Sequence, residues 1–448
     1  MWMLWALLGC GSTPSPEVTL TSPWTASPPL ASSLEGARDR HWRRSIVHLH
    51  SPWSHDACDG DPLPGGVPDP ACLDDLRRAL CDVRVDVAFL TDHPAHAAEQ
   101  SYDALTHAAP GDEPVLLDGV PVGSVVECEG GHRVTWLPGI EDELMPVALK
   151  RHVEGDAEER DALYNLDTPE AVQAMVDAGG TVLVAHTEGR EVSHLLDLQQ
   201  HGMSGIEVFN LHAMFAPDKR EEDLGLDPFS WLDDIAPFTN DDASAEPDLL
   251  FLAVHDHQDP SLAAWDELLA VGPMVGVGGT DAHQNVLPLV LRDGERVDSY
   301  RRMLRWFSNL VLVDDDTLEA VESGLAAGRV VVAFEVLGTP SGFDVYLEGG
   351  DGQIYEMGSD AAAGELVVTC PTLAAGSPRG TDAPSIHVSV LRDGEPWQQG
   401  CGTFVAEAGH VYRVQVDITP YHLRPFLGDD PDSWMRPFPW LYAGAIRT

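Results

Sequence analysis

Ser45-Ile46-Val47-His48-Leu49-His50 is the stretch from which the rest of the chain can be read. A short β-branched run ends in two imidazoles set two residues apart. Side chains alternate along a strand with period two, so both rings are expected on one side, where a single segment can grip a cation with two ligands. The same pattern, an apolar run closed by histidine or carboxylate, recurs at Thr91-Asp92-His93, Gly139-Ile140-Glu141, Ala185-His186, Gly205-Ile206-Glu207 and Thr280-Asp281-Ala282-His283. Imidazole and carboxylate hold zinc, manganese or iron while leaving a coordination position open for water. Together the segments read as pieces of one multinuclear metal site of the kind that serves hydrolysis.

Outward from these segments, the chain alternates strand with helix. Strands are predicted at Ser45–His50, Val85–Thr91, Val134–Ile140, Thr181–His186, Gly205–Asn210, Leu249–His255, Met274–Thr280 and Asn309–Val313. Helices with apolar residues three to four apart are predicted at Leu73–Val83, Thr168–Ala178, Glu191–His201, Ser261–Val271, Val297–Phe307 and Thr317–Ala327. Such alternation predicts an α/β fold, a distorted (β/α)7-type barrel over residues 45–330, with its chemistry at the carboxyl ends of the strands. After Arg329 the texture changes. Val330–Val336, Gly342–Leu347, Glu365–Thr369, Ser385–Leu391 and His410–Val416 read as strands between Gly, Pro, Asp and Ser turns, giving a small all-β, sandwich-like domain over 331–448. Its end, Pro437–Tyr442, is expected to be a final strand that docks aromatics on the barrel.

Charge narrows the partners. Lys and Arg number 26 against 73 Asp and Glu, a net of −47, which repels a phosphate polymer at long range and excludes nucleic acid as the expected partner. The start of the chain, Met1 to Leu8, is apolar and leads into Gly9, Cys10 and a Ser/Thr/Pro-rich stretch through Ser33. It resembles a bacterial lipoprotein signal: residues 1–10 would be the signal ending in the lipobox Leu7-Leu8-Gly9-Cys10, and 11–44 a linker. It departs from that pattern in having no basic residue before Arg38. The apolar run falls short of the ~20 residues a membrane span requires, so membrane attachment is expected only through the lipid on Cys10. Setting Cys10 aside, Cys58, Cys72, Cys81, Cys128, Cys370 and Cys401 form an even set suited to an oxidising compartment. Pairing is expected for Cys370 with Cys401 and for Cys58 with Cys72. An exported, cell-envelope protein, periplasmic or anchored at the outer membrane, is the resulting expectation.

In order, His48-Leu49-His50-Ser51 with Ser54-His55-Asp56, Leu90-Thr91-Asp92-His93, Pro138-Gly139-Ile140-Glu141, Val184-Ala185-His186, Ile206–Asn210 and Gly279-Thr280-Asp281-Ala282-His283 resemble the motifs of the polymerase and histidinol phosphatase (PHP) superfamily, over roughly Ser45 to Leu289. The resemblance implies two or three divalent ions, zinc, manganese or iron. His48 and His50 would bind one metal, Glu141 would bridge two, His93 and His186 would ligate the second, and Asp281 with His283 would complete the cluster near the first. A third position would take His55 or Asp56, where the usual Ser-Asp-Gly is replaced by Ser54-His55-Asp56, and Asn210 or His212. Catalytic roles are expected for Glu141, for His55, for Asp92 as an orienting carboxylate, and for Arg190 as a clamp on an anionic group, the alternative for Arg190 being a solvated helix-start residue. Glu188 carries the same ambiguity. His255-Asp256-His257 reads either as a second metal site or as a flank of the pocket. Cys58 is no nucleophile if oxidised.

A carboxylate shared by two cations offsets their repulsion, while neutral imidazoles leave enough positive charge to acidify water from ~15.7 toward ~7. The expected activity is hydrolysis of a small ester, a phosphoester by default. The β-rich tail, with its Val332–Gly338 junction, also resembles a bacterial branch associated with aryl carbamate and carboxylic ester hydrolysis. Cleavage of nucleic acid or a cyclic phosphodiester is a weaker reading. A catalytically silent surface binding protein is the rival from another class.

Overall fold

The computed structural model describes residues 21–35, 38–240 and 244–448. Cys10, its lipobox and the first part of the 11–44 linker lie outside the described residues.

Strands His41–Leu49, Val87–Asp92, Arg133–Ile140, Thr181–Val184, Gly205–Asn210, Val275–Ala282 and Ser308–Val313 fall on the apolar runs. Helices Pro70–Asp82, Pro169–Asp177, Val192–Gln200, Asp259–Val271, Tyr300–Trp306 and Leu318–Ala326 fall on the three-to-four patterns. Local chemistry sets several of their starts. The Asp69 carboxylate accepts the amides of Ala71 and Cys72 just ahead of Pro70, and Thr168, Ser299 and Thr317 cap their helices in the same way.

Parallel pairing brings the histidine-bearing ends to one edge. His41–Leu49 runs parallel to both Val87–Asp92 and Val275–Ala282, and Val87–Asp92 runs parallel to Arg133–Ile140. Gly205–Asn210 lies parallel between Thr181–Val184 and Val275–Ala282. Leu144–Val147 pairs antiparallel with Thr181–Val184, and just beyond it Leu149 N donates to Pro138 O at 2.9 Å. The Gly205–Asn210 and Val275–Ala282 strands are buried throughout, as parallel strands covered on both faces must be.

Two expectations need correction. Leu249–His255 is not a strand: Pro247–Ala253 forms a 3-10 helix, all of it buried up to Leu252. A short apolar run suits a buried helix as well as a strand, and Pro247 starts the helical turn. The strand predicted over Val330–Val336 ends at Ala333, and Glu335–Leu337 is a 3-10 turn. That turn carries the Glu335 carboxylate inward, where Arg44 Nε and Nη2 donate to it at 2.7 Å each. The sequence reading also passed over the hairpin Glu113–Leu117/Val120–Glu127, which lies along the edge of the sheet beside Arg133–Ile140.

Beyond Arg329 the β-rich region has two parts. Val330–Ala333 pairs with Ser308–Val313 on one side and with Phe438–Ala443 on the other, and Val411–Thr419 and Ser385–Arg392 extend the same sheet. A separate four-stranded sheet holds Asp344–Gly349, Ile354–Glu356, Gly364–Thr369 and Gly402–Ala406. The molecule is thus a mixed α/β protein with one large sheet and additional β-structure. Its C-terminal strand packs aromatics inward: His255 stacks on Phe438 at 5.9 Å and lies 4.5 Å from Phe334, which also meets Phe209 at 4.8 Å.

Disulfides join Cys58 to Cys72, Cys81 to Cys128 and Cys370 to Cys401. Three such bonds belong with an extracellular or periplasmic setting. Among the described residues no helix is long and apolar enough to cross a membrane.

Candidate metal centre

The strands do not deliver their ligands by simple alternation. His48, His186 and Asp281 have φ of 60°, 48° and 49°, a left-handed conformation that disfavours side-chain-bearing residues by about 1–3 kcal/mol each. His48 and Asp281 sit where the pairing of His41–Leu49 with Val275–Ala282 slips register, between Val47–Gly279 and Leu49–Ala282. Such an irregularity re-aims a side chain at a strand end. His48 and His50 do meet, their Nε2 atoms lying 3.3 and 3.2 Å from the same Asp281 Oδ1, but a break in the pleat accomplishes it.

Asp281 is the hub. Its Oδ2 lies 3.0 Å from His212 Nδ1 and 3.5 Å from His186 Nε2. Glu141 is a second hub, with Oε1 3.9 Å from His48 Nε2 and 3.8 Å from His186 Nε2, and Oε2 3.0 Å from His93 Nδ1. Asp56 Oδ2 lies 3.3 Å from His93 Nε2. The result is four overlapping groups able to hold a divalent cation: His48/His50/Asp281, His48/Glu141/His186, His50/Asp56/His93 and His212/Asp281/His283, with ligand atoms in each within 4.8 Å of one another. All nine side chains expected as ligands are brought together, though the grouping differs from expectation, since His93 joins His50 and Asp56 while His186 joins His48.

The open alternatives divide cleanly. Asp56 enters the cluster, whereas His55 is exposed with its ring 4.8 Å from that of His93. His212 enters, whereas Asn210 is buried, donating to Glu207 Oε2 at 3.1 Å and accepting from Ala213 N.

Supporting groups set which ring nitrogen faces the cluster. Glu207 Oε1 accepts His48 Nδ1–H at 2.6 Å, and Ser54 Oγ, which itself donates to Asp56, accepts His50 Nδ1–H at 3.0 Å. Both rings therefore present Nε2, and these two buried atoms have no hydrogen-bond partner. A buried polar atom left unpaired costs about 1–3 kcal/mol, and a cation shared with Asp281 is the partner that fits. Gly279 makes room for this arrangement, because a Cβ there would lie 1.7 Å from Glu207 Oε1. Glu207 also accepts the His186 amide at 2.9 Å. The sequence reading named Glu207 in a segment without a role. Its signal was a carboxylate on a strand otherwise buried throughout, which has to be paired.

Electrostatics bind the group tightly. Burial alone would lower the His48 pKa, but Glu207 and Asp281 outweigh it and hold the ring well above the usual value. His93 and His186 behave alike: burial opposes their charge, yet Asp56 and Glu141 push His93 up to about 11, and Glu188 with Asp281 and Glu141 pushes His186 up to about 9. A metal cation held by these nitrogens would have to displace their protons. Burial lowers His283 to about 4.

Asp92 does not orient a ligand histidine directly. Its oxygens accept Ser51 N at 2.6 Å and Ser51 Oγ at 2.7 Å, so it orders the chain just after His50, and burial pushes its carboxyl up to about 6. Arg190 pairs with Glu143 and lines a cavity of about 390 Å³ with His93, Glu141 and His186. Lys219, which the sequence reading missed, lines both that cavity and a neighbouring one of about 220 Å³ with Asp56, His212, Asp281 and His283. Nothing in its local sequence marks it. Glu188 meets His186 Nδ1 at 3.3 Å. Cys58 is disulfide-bonded and has no free thiol. Neither His255 nor His257 belongs to a group able to hold a metal among the described residues.

No protein-family model matches the chain, and no curated protein matches it at a significant level. Among solved structures it is similar to a two-domain protein containing a predicted PHP-like metal-dependent phosphoesterase from Bacteroides vulgatus. That match has 11% identity and a TM-score of 0.37 and covers 92% of this chain and 97% of that one. It is also similar to PsfC from Pseudomonas syringae, with 13% identity, a TM-score of 0.32 and coverage of 63% and 87%. Both superpositions are loose.

Proposed function

We propose that this chain is a metal-dependent hydrolase of the PHP superfamily acting on a small ester, a phosphoester by preference. The observation that carries the proposal is the pair of buried Nε2 atoms of His48 and His50, aimed at Asp281 and without any other partner. Two or three divalent ions, zinc, manganese or iron, would polarise an ester oxygen and acidify water there. Asp281 and Glu141 each reach several imidazoles, and their negative charge would offset the repulsion between ions held by neighbouring groups. Glu207 and Glu188 hold the rings of His48 and His186 in orientation. His55, whose exposed ring lies 4.8 Å from that of His93, would serve as the proton donor to the leaving oxygen.

In a chain of net charge −47, the two cations lining the cavities, Lys219 and Arg190, favour an anionic ester over a neutral one. Each is already paired, with Asp223 at 3.2 Å and with Glu143. That pairing supports carboxylic or carbamate ester hydrolysis as the second reading. Within the proposal, residues 45–330 form the PHP-type barrel, supported by the parallel pairings and the Leu149–Pro138 hydrogen bond, and residues 331–448 are its β-domain. The protein is exported and anchored through lipid on Cys10, with no nucleic acid partner; release from the membrane fraction on Cys10→Ser tests the anchor.

The deciding experiment measures metal content after gentle isolation, followed by a panel of phosphomonoesters, phosphodiesters, and carboxylic and carbamate esters. Bound transition metal with turnover of para-nitrophenyl phosphate supports the leading reading, and turnover of neutral esters alone shifts it to the second. No metal, and no turnover with added manganese or zinc, leaves a silent binding protein.

A further inference from the structure

The hydroxyl of Ser51 stands directly behind the cluster and is filled to capacity. It donates to Asp92 Oδ2 at 2.7 Å and accepts from Trp53 N at 3.1 Å and from His107 Nε2 at 2.7 Å. A hydroxyl has one hydrogen to give and two lone pairs to fill. Because its hydrogen goes to the carboxylate, the His107 ring must be the donor in the third contact. Ser51 follows His50 in the chain and Asp92 precedes His93, so this one junction ties together the ends of two strands that each carry a candidate ligand. Leu49 N, donating to Thr91 Oγ1 at 3.1 Å, adds a second tie between the same strands.

His107 reaches this junction from outside the motif segments. It follows the 3-10 turn Ala104–Thr106 in a left-handed conformation, φ 47°. Its ring lies 6.0 Å from that of Trp53 and 5.7 Å from that of Trp136, and Ser124 Oγ anchors the turn by donating to Thr106 O at 2.7 Å. The residue is buried and touches none of the nine candidate ligands through a hydrogen bond. A strained backbone, two flanking indoles and a single hydrogen bond aimed at Ser51 have one coherent outcome, a fixed donor behind the His50–His93 pair.

We propose that His107 is a positioning residue of the metal centre, acting through Ser51 and Asp92 to hold His50 and His93 at ligand spacing. The inference rests on the reading of the cluster as a metal site. Groups that orient ligands from behind typically contribute 10–100-fold in metal affinity, and an effect of about that size is expected here.

The test uses the full chain, stripped with chelator and titrated with zinc and separately with manganese against a competing indicator, with thermal unfolding measured in parallel. His107→Ala is expected to weaken zinc binding by about 10–100-fold. His107→Gln, whose amide can donate where Nε2 does, is expected to recover most of that loss even though it packs imperfectly between the tryptophans. Ser51→Ala should weaken binding similarly, and adding His107→Ala to it should cost little more. Equal destabilisation by Ala and Gln with zinc affinity unchanged from wild type would overturn the proposal and leave His107 a packing residue. A wild-type protein that binds neither metal would overturn the metal-centre reading itself, a result distinct from unchanged affinity in the variants.

Discussion

Two histidine pairs with the same one-residue spacing, His48/His50 and His255/His257, meet opposite fates. His255 is buried, like His48, but its Nε2 donates to Pro439 O at 2.9 Å, aromatic rings surround it, and burial lowers its pKa to about 3. His257 bonds Tyr442 OH at 2.8 Å and lies 3.2 Å from Asp417. That pair fastens the C-terminal strand to the body of the molecule. In the other pair the outer nitrogens are held by Glu207 and Ser54 while the inner ones converge on Asp281 unpaired. Spacing alone therefore does not make a metal site. What separates the two is where the remaining hydrogen-bonding capacity is directed.

The contrast can be broken most severely at its hub. Asp281→Ala is expected to lower bound metal and reduce turnover by more than ~100-fold, read by metal analysis and rate. Full occupancy and an unchanged rate would erase the distinction between the pairs. Glu207→Gln keeps shape but weakens the acceptor that holds His48. A loss of about 10–100-fold in metal affinity is expected, measured by competition titration.

His255→Ala probes the other side. It should leave metal content intact and destabilise the fold by about 2–4 kcal/mol through the cavity and the lost hydrogen bond, measured by denaturant unfolding. Loss of metal with stability unchanged would reverse the assignment.

The smallest effect concerns pH. The folded pKa values of His93 and His186, about 11 and about 9, lie above the ordinary ~6.5 of histidine. In chelated protein their imidazolium–carboxylate pairs therefore contribute fully below about pH 6.5, and that contribution fades as pH rises through about 9 for His186 and then about 11 for His93. Metal-loaded protein needs those nitrogens deprotonated, so its margin over the chelated form should widen with rising pH. Parallel melting curves between pH 6.5 and 9 check this, and a constant margin would mean that protons and metal do not share these atoms.

Much of the candidate site was legible because its signals are local. A β-branched run closed by histidine or aspartate identifies a strand end with its ligand, and the three-to-four pattern identifies the helix that returns the chain. The Leu249–Leu252 run was misread because burial supports a 3-10 turn as readily as a strand. Glu207 stood out only as a carboxylate closing an apolar run, with no sign of which ring it would hold, and nothing in the neighbours of Lys219 states what it faces. His107 is the extreme case: its partner Ser51 lies 56 positions away.

Residue types and short-range periodicity by themselves determined the alternating elements, the acidity, the cysteine pairs that were named, and a cast of imidazoles and carboxylates at strand ends. Tertiary structure alone decided that Asp56 rather than His55 and His212 rather than Asn210 join the cluster, which nitrogen each ring presents, and that His255 holds a strand instead of a cation. The physical reason is that each of those outcomes depends on whether a buried polar atom finds its partner, and the partner arrives from a distant part of the chain.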